Sequence, residues 1–315
     1  MTFGSLFTGI GGFDLGFEKA GMECLWQVEI DKSCTQTLNK HWGGVAKYGD
    51  IVDVGRSSLK RVDVICGGFP CQDVSIAGRR AGLDGERSGL WFEFARVIEE
   101  MRPEWVVIEN VPGLLSSNKG RDFAAIIGRL AELGYGFAWR VLDSKNFGVA
   151  QRRRRVFIVG HSGGSCAPPT TVLFEPESLS GDIAKGRQEG HIAPTLSASG
   201  AGTSRTKARG SEQDFYVVGR KDENGLYGQG FAEIANTILT REGQRHDPSS
   251  ETYITHGDIV RRLTPLECER LQGFPDNWTA GHSDTARYRM IGNAVTVNVA
   301  EWIGKRIMQM KEEEV

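Results

Sequence analysis

A proline–cysteine pair in the first quarter of the chain is the feature best suited to covalent chemistry. Residues 62–65 form a mostly apolar run that predicts a buried strand, and Gly67-Gly68 then turn the chain. In an open α/β sheet, ligands and reactive groups gather in the loops that leave the carboxyl ends of strands. Pro70 fixes its own φ, so Cys71 is carried on a stiff backbone, and its thiolate would be a nucleophile.

A carboxylate and two arginines are predicted to assist that thiol. The apolar strand predicted over residues 105–108 ends at Glu109, which puts the carboxylate at the same sheet edge as Cys71. Partial burial there should raise its pKa and suit it to proton donation. Arg152 to Arg155 lead into another predicted strand, where alternate side chains share a face, so Arg153 and Arg155 should point the same way. A guanidinium near Cys71 would favour the thiolate.

The start of the chain predicts a site for an adenosine-bearing ligand. A strand over residues 3–8 is followed by a turn with the spacing Gly-x-Gly-Gly and then by a helix. This spacing departs from the dinucleotide pattern Gly-x-Gly-x-x-Gly and favours a smaller ligand. Glu29 follows the turn by about 20 residues, where a carboxylate accepts hydrogen bonds from ribose hydroxyls. Asp50 ends the next short segment and is a candidate acceptor for an adenine amino group.

Composition narrows the class of protein. The chain has 315 residues, 39% of them hydrophobic, which is enough for one large domain or a large and a small one. We find no apolar run long enough to span a membrane, no basic and apolar leader, and no zinc-like spacing among the six cysteines and six histidines. We therefore expect a cytoplasmic, reduced and metal-free protein that acts as a monomer. The net charge of −2 gives no overall basic field that would indicate a nucleic-acid partner.

The remaining pattern indicates two regions. Helices are predicted at 90–101 and 122–133 and strands at 137–142 and 156–160, which alternate as in a doubly wound, mostly parallel α/β sheet. Residues 166–260 are instead rich in Gly, Ser, Thr and Pro, with short β-prone runs at 216–218 and 238–240. A helix capped by Thr264, and a closing amphipathic helix over 296–310 with a charged tail from Lys311, return the chain to the first region.

Six short motifs, taken in order, resemble the DNA (cytosine-5) methyltransferase family over nearly the whole chain. Each is weak to moderate alone, but their shared order and spacing make coincidence improbable. The motifs are Phe7-Thr8-Gly9-Ile10-Gly11-Gly12, Gly68-Phe69-Pro70-Cys71-Gln72, Glu109-Asn110-Val111, Gln151 to Arg155, Arg261 to Pro275, and Gly292-Asn293-Ala294-Val295.

The resemblance implies a fold and a cofactor. The family has a Rossmann-like, class I S-adenosyl-L-methionine-dependent methyltransferase domain and a smaller, β-rich target-recognition domain. We expect the first to comprise residues 1–165 and 284–315 and the second residues 166–283. The residues expected to line the cofactor site are Phe7, Gly9, Ile10, Gly11, Gly12, Glu29, Ile30, Asp50, Ile51, Pro70, Leu90, Asn293 and Val295.

The resemblance also implies a reaction on double-stranded DNA in which a cytosine is flipped out of the helix and methylated at carbon 5. Cys71, Glu109, Arg153 and Arg155 are expected to do the chemistry. Gln72 and the glycine-rich loop with Ser75, Arg79 and Arg80 are expected to contact DNA and close over the site. Arg205, Lys207 and Arg209 are candidates for reading the target sequence. Such an enzyme would serve a restriction–modification system or be a phage-type orphan methylase.

Three alternatives remain open from the sequence. An RNA cytosine-5 methyltransferase would use the same chemistry, but transfer-RNA-modifying members of the family tend to have a shorter recognition insertion than residues 166–260. A nicotinamide oxidoreductase would explain the glycine turn but would leave Cys71 and Glu109 without a role. A DNA-binding protein that has lost catalysis would not need either residue.

Overall fold

A seven-stranded sheet organises the larger part of the protein. The computed structural model describes residues 1–70, 89–174 and 262–312, together with the backbone of residues 216–218, 231–232, 253–256, 259–261 and 313. The large sheet has the strand order β3-β2-β1-β4-β5-β7-β6, and β7 runs antiparallel to both of its neighbours. Its strands are β1 (Thr2–Leu6), β2 (Glu23–Val28), β3 (Ala46–Tyr48), β4 (Val64–Gly67), β5 (Trp105–Asn110), β6 (Gly136–Asp143) and β7 (Arg154–His161).

Helices cover both faces of this sheet, because alternate residues of its central strands are apolar and point to opposite sides. In β5, Val106 and Ile108 belong to one core cluster, whereas Trp105 and Val107 belong to another. The described helices are α1 (Gly12–Lys19), α2 (Lys32–His41), α3 (Leu90–Met101), α4 (Arg121–Glu132), α5 (Ala167–Leu173), α6 (Pro265–Leu271), α7 (Asp284–Asn293) and α8 (Val297–Glu313). The predicted doubly wound, mostly parallel sheet is confirmed.

A second sheet is formed by four short antiparallel strands in the order β11-β10-β8-β9. They are β8 (Tyr216–Val218), β9 (Phe231–Ala232), β10 (Tyr253–His256) and β11 (Ile259–Arg262). The predicted strand at 216–218 is present, and the one predicted at 238–240 lies outside the described residues.

Several element ends differ from the sequence prediction. β1 and β2 end two residues early, at Leu6 and Val28, because the chain turns there and Phe7 has a φ of 51°. The closing helix continues to Glu313, so Lys311 lies in its last turn, where a cation interacts favourably with the helix dipole, and not in a tail. Helices α5 and α7 were missed, whereas the cap of α6 is as predicted: Thr264 and Glu267 form a capping box.

Segments on either side of the second sheet in sequence are fixed to elements of the larger part of the protein. In α5, Val172 and Leu173 are fully buried, and Arg306 of α8 donates to the carbonyl of Val172 at 2.6 Å. Further on, the indole of Trp278 donates to the carbonyl of Ile10 at 2.9 Å and stacks on the ring of His41 with centroids 3.5 Å apart. Both ends of the intervening chain are therefore anchored.

No helix in the described part of the chain is long and apolar enough to cross a membrane. Within the same residues there is no cluster of three or more His, Cys, Asp or Glu side chains that could hold a metal ion.

Close packing of α1 on α8 yields a stability prediction. A Cβ at Gly16 would lie 2.5 Å from Cβ of Ala300 and 2.8 Å from the carbonyl oxygen of Val297. We expect Gly16→Ala to destabilise the protein by about 1–3 kcal/mol through overpacking. Gly128→Ala is the matched control, since Gly128 is also helical but a Cβ there meets nothing within 4 Å. It should stabilise by about 0.5–1 kcal/mol. Urea unfolding of both variants measures the difference, and a neutral or stabilising Gly16→Ala would contradict the packing argument.

Candidate active site

Glu109 lies near the carboxyl end of β5 and pairs with an arginine from β7. Its side chain is largely buried, and Oε1 is 2.9 Å from Nε of Arg155. The two meet because β7 is antiparallel to β5, which brings the first residues of β7 to the edge where β5 ends. Burial raises the pKa of Glu109, and the charges of Arg155 and Arg153 oppose that rise. Burial outweighs the two arginines, so the carboxyl holds its proton more tightly than an exposed glutamate does.

The loop that follows β4 lies directly on this pair. A Cβ on Gly68 would be 2.8 Å from Oε2 of Glu109, so a side chain at this position would displace the carboxylate. The amide of Asn110 donates to the carbonyl of Phe69 at 2.9 Å and fixes the next residue of the loop. Pro70 is exposed and is followed in the chain by Cys71, which lies outside the described residues.

Arg153 has a different environment from Arg155. It is only 2% exposed, and its Nη2 donates to the carbonyl of Ala294 at 2.8 Å. Its backbone N–H donates to Asp143 at 3.0 Å. The other two guanidinium nitrogens, Nε and Nη1, have no hydrogen-bond partner within the described part of the chain, and neither do the amide atoms of fully buried Gln151. Arg153 thus fastens the start of β7 to the Gly292–Val295 motif, while Arg155 contacts the candidate acid.

The glycine turn between β1 and α1 lies at the same edge of the sheet. Gly9 has a φ of +59°, and a Cβ there would face open space. The N–H of Gly9 donates to Oε2 of Glu29 at 2.7 Å. At Gly12 the turn comes closest to another segment of the chain, because a Cβ there would lie 2.3 Å from the carbonyl oxygen of Val295. The sequence motif at 292–295 is therefore packed against the turn.

Glu29 follows β2 and is half-buried. Besides Gly9, it accepts a hydrogen bond from the N–H of Asp31 at 2.7 Å. Burial raises the pKa of Glu29, and these backbone donors oppose the rise. Its neighbour Ile30 is 69% exposed, which is unusual for an isoleucine beside a buried strand.

The turn after β3 presents a second exposed apolar side chain. Asp50 caps this turn by accepting from the N–H of Val52, and Val52 is 55% exposed whereas Ile51 is in the core. Arg96 of α3 braces the turn, because its Nη2 donates to the carbonyls of Ile51 and Val54 at 2.9 Å each. Val52 and Arg96 are not among the residues predicted from the sequence, although the position of Val52 two residues after Asp50 is a signal for it.

The other predicted cofactor residues are distributed as follows. Phe7 is half-buried and stacks on Phe94, with ring centroids 6.2 Å apart. Ile10 is fully buried, Leu90 begins α3, and Asn293 is exposed at the end of α7. The residues predicted to bind DNA, Gln72, Ser75, Arg79, Arg80, Arg205, Lys207 and Arg209, lie outside the described residues, and their contacts stay predictions.

Comparison with known proteins gives one consistent result. A family model described as C-5 cytosine-specific DNA methylase matches residues 1–309. The Type II methyltransferase M2.BsuMI of Bacillus subtilis (strain 168) is 34% identical over 321 residues, which cover 98% of this chain and 75% of the relative. The Type II methyltransferase M.HpaII of Haemophilus parainfluenzae is 31% identical over 328 residues, which cover 98% of this chain and 89% of the relative.

A solved structure shares the fold. The crystal structure of the S. pombe Dnmt2 methyltransferase matches with a TM-score of 0.68 at 18% sequence identity, covering 99% of each chain. At that identity the likeness concerns the fold alone. The match to the family model, by contrast, spans nearly the whole sequence and includes every element of the large sheet. The chain therefore belongs to the C-5 cytosine-specific DNA methylase family.

Proposed function

We propose that this protein transfers a methyl group from S-adenosylmethionine to carbon 5 of a flipped-out cytosine in a specific double-stranded DNA sequence, with Cys71 as the nucleophile. One observation carries the proposal: the Glu109–Arg155 pair is set against the backbone of Gly68, three residues before Cys71. An acid and a cation at this place are what the addition of a thiolate to a cytosine ring requires.

Cys71 would add its thiolate to carbon 6 of the cytosine. This addition pushes an electron pair into the ring, which makes carbon 5 nucleophilic and divides one difficult step into easier ones. After carbon 5 has gained the methyl group, a base takes the proton from that carbon. The electron pair then expels the thiolate of Cys71, N3 returns to Glu109 the proton that it received, and the neutral ring is restored.

Glu109 would hold a proton for N3 of the cytosine and so offset the negative charge that the thiolate introduces. Burial of Glu109 favours its protonated form, while the positive charge of Arg155 stabilises the carboxylate that remains after the proton has been donated. We assign the cytosine carbonyl to the guanidinium of Arg155, because it lies beside Glu109, whereas Arg153 is buried and donates to the carbonyl of Ala294.

The turn between β1 and α1 has the chemistry that S-adenosylmethionine requires. The space in front of Gly9 is open, the half-buried carboxylate of Glu29 lies beside it, and Ile30 and Val52 expose apolar surface. A carboxylate acceptor for ribose hydroxyls between two apolar side chains fits an adenosine. When bound, the cofactor supplies a methyl group made electrophilic by its attachment to a sulfonium.

The residues of this site would each have a limited task. Glu29 would accept from the ribose, Asp50 would accept from the adenine amino group, and Ile30 and Val52 would flank the base. Arg96 would act indirectly, since it holds the turn that carries Asp50 and Val52. The other residues predicted to line the cofactor site would contact the cofactor through backbone atoms or through the exposed part of their side chains.

Target recognition would be the task of the segment between the two anchored ends. Since α5 is tied to α8, and residues 263–278 pack against the glycine turn and α2, we propose that the recognition module lies between Glu175 and Arg262, inside the predicted range of 166–283. The similarity to Type II methyltransferases favours DNA as the substrate over RNA and argues against a nicotinamide oxidoreductase. A partner endonuclease would fit the same class.

The first test uses DNA that carries 5-fluorocytosine in the target sequence, after bisulfite sequencing of DNA from cells expressing the protein has identified that sequence. The reaction contains S-adenosylmethionine, and once carbon 5 carries the methyl group the fluorine cannot leave as a cation, so the wild-type protein should form a covalent complex that survives denaturing electrophoresis. Cys71→Ala should bind the same DNA and form no such complex. A wild-type protein that methylates this sequence but releases the fluorinated DNA would refute the covalent mechanism.

Removing the candidate acid should affect the chemical step. We expect Glu109→Gln to lower kcat by about 10²–10⁴-fold, the usual contribution of a general acid, and to leave the Kd for S-adenosylmethionine nearly unchanged. The control is Glu104→Gln, which makes the same substitution at the residue that precedes the first residue of β5, far from Glu109 along the strand. This variant should keep kcat within about twofold. Single-turnover kinetics separate the two effects. Equal losses in both variants would mean that the change acts through stability.

Removing the candidate ribose acceptor should affect cofactor binding. Glu29→Gln loses a charged acceptor, so the Kd for S-adenosylmethionine should rise by about 10–100-fold. Glu23→Gln, on the exposed start of the same strand, should not change it. Isothermal titration calorimetry of the DNA-free protein measures both values. An unchanged Kd in Glu29→Gln would place the ribose elsewhere.

A further inference from the structure

A buried polar cluster lies beneath the glycine turn and has no role in the chemistry described above. Its centre is Asp14, in the first turn of α1, whose side chain is fully buried. Oδ1 of Asp14 accepts hydrogen bonds from Oγ of Ser5 at 2.9 Å and from Nε2 of Gln27 at 2.8 Å. The thiol of Cys24 also points to it, at 3.5 Å. All these donors converge on a single oxygen.

The second carboxylate oxygen of Asp14 and the amide oxygen of Gln27 have no hydrogen-bond donor in the described part of the chain. Neither Oδ2 of Asp14 nor Oε1 of Gln27 has a donor among the residues that the structure describes, although both atoms are buried. Two buried acceptors without donors are costly, and the cost is highest when one belongs to an ionised carboxylate. A proton on Oδ2 would convert that atom into a donor and give Oε1 of Gln27 a partner. Acid and amide would then be joined by two hydrogen bonds.

The surroundings of Asp14 favour a neutral acid. Burial raises the pKa of Asp14 to about 6, against the hydrogen bonds from Gln27 and Ser5. A hydrogen bond that the protonated form donates raises the pKa further. The titratable groups facing it are the thiols of Cys24 and Cys66, whose own pKa values burial raises, and the ammonium of Lys47, which donates to the carbonyl of Val45 at 3.0 Å. Within the described residues, Asp14 has no direct ion pair.

We propose that Asp14 is a positioning residue that stays protonated in the working enzyme, and that its acid–amide pair with Gln27 holds the cofactor-binding turn in shape. The connection to the turn is direct. Oγ of Ser5 lies 2.9 Å from Oγ1 of Thr8, and because the Ser5 hydroxyl donates to Asp14, the Thr8 hydroxyl is the donor to Ser5. The N–H of Thr8 donates to the carbonyl of Val28 at 3.1 Å.

The effect on the cofactor follows from the next residues. Thr8 and Val28 immediately precede Gly9 and Glu29, which are themselves joined by a hydrogen bond of 2.7 Å. A negative charge on Asp14 would attract the hydroxyl of Ser5 more strongly and repel Oε1 of Gln27. Both changes would disturb the hydrogen bonds that connect Asp14 through Ser5 and Thr8 to the turn. The inference rests on the proposed function in so far as the turn binds S-adenosylmethionine, but the protonation of Asp14 can be tested without any ligand.

The test compares three variants of the full-length protein. Asp14→Asn replaces the neutral acid by an amide of the same shape, which can donate to Oε1 and accept from Nε2 of Gln27. We expect its Kd for S-adenosylmethionine to stay within about threefold of the wild-type value, whereas Asp14→Ala should raise it by about tenfold or more. The double variant Asp14→Asn/Gln27→Glu places the amide at position 14 and the acid at position 27. It should bind S-adenosylmethionine with the Kd of the wild type.

Two measurements on the ligand-free protein examine the proton itself. The infrared difference spectrum of wild type minus Asp14→Asn at neutral pH should contain the carbonyl band of a protonated carboxylic acid. The free energy of unfolding should also fall for the wild type relative to Asp14→Asn as the pH rises from about 4, near the pKa of an unfolded aspartate, through the folded pKa of about 6, because unfolding lets the carboxyl release its proton. Stability from a raised pKa is present at low pH and is lost as the pH rises.

The outcomes are distinct. A missing carboxylic-acid band, a stability difference that does not change with pH above about pH 4, or an Asp14→Asn variant that binds cofactor as poorly as Asp14→Ala would each overturn the proposal. A wild-type protein that shows the band and the pH dependence but binds no S-adenosylmethionine would instead refute the proposed function. In that case Asp14 would still be protonated, but it would not be a positioning residue for this cofactor.

Discussion

The reversal of a single strand brings the two charges of the site together. In a wholly parallel sheet, the residues that begin a strand lie at the far edge from those that end its neighbours. Because β7 runs against β5, Arg155 at its start meets Glu109 near the end of β5. The pair is largely buried, so neither charge is fully solvated and each depends on the other. The same arrangement sets the proton affinity of Glu109 between the opposing effects of burial and cationic neighbours.

Much of this site could be predicted from local sequence. Apolar runs ending in Gly67-Gly68 and in Glu109 indicate strands that deliver polar residues to one edge, and the structure has both. The buried Cys66 and the capping box at Thr264 also follow from rules that involve only neighbouring residues. Such features are predictable because the interactions that cause them lie within a few positions of the chain.

The rest depends on contacts between distant residues. Nothing in the arginine run distinguishes Arg155, which meets Glu109, from Arg153, which meets a carbonyl 141 positions away. The direction of β7 is likewise invisible in its hydrophobic pattern, which is the same for parallel and antiparallel neighbours. Asp14 could be read as an ordinary first-turn acid of a helix, since only the tertiary structure shows that Gln27 and Ser5 surround it.

The two anchored ends have a consequence for how such proteins diversify. Helix α5 is tied to α8 by Arg306, and the returning chain is tied to the glycine turn by Trp278. The stretch of chain between these two contacts therefore begins and ends at segments that are packed on the larger part of the protein. Evolution can therefore lengthen, shorten or replace the intervening stretch without disturbing the edge of the large sheet where Glu109 and Arg155 meet.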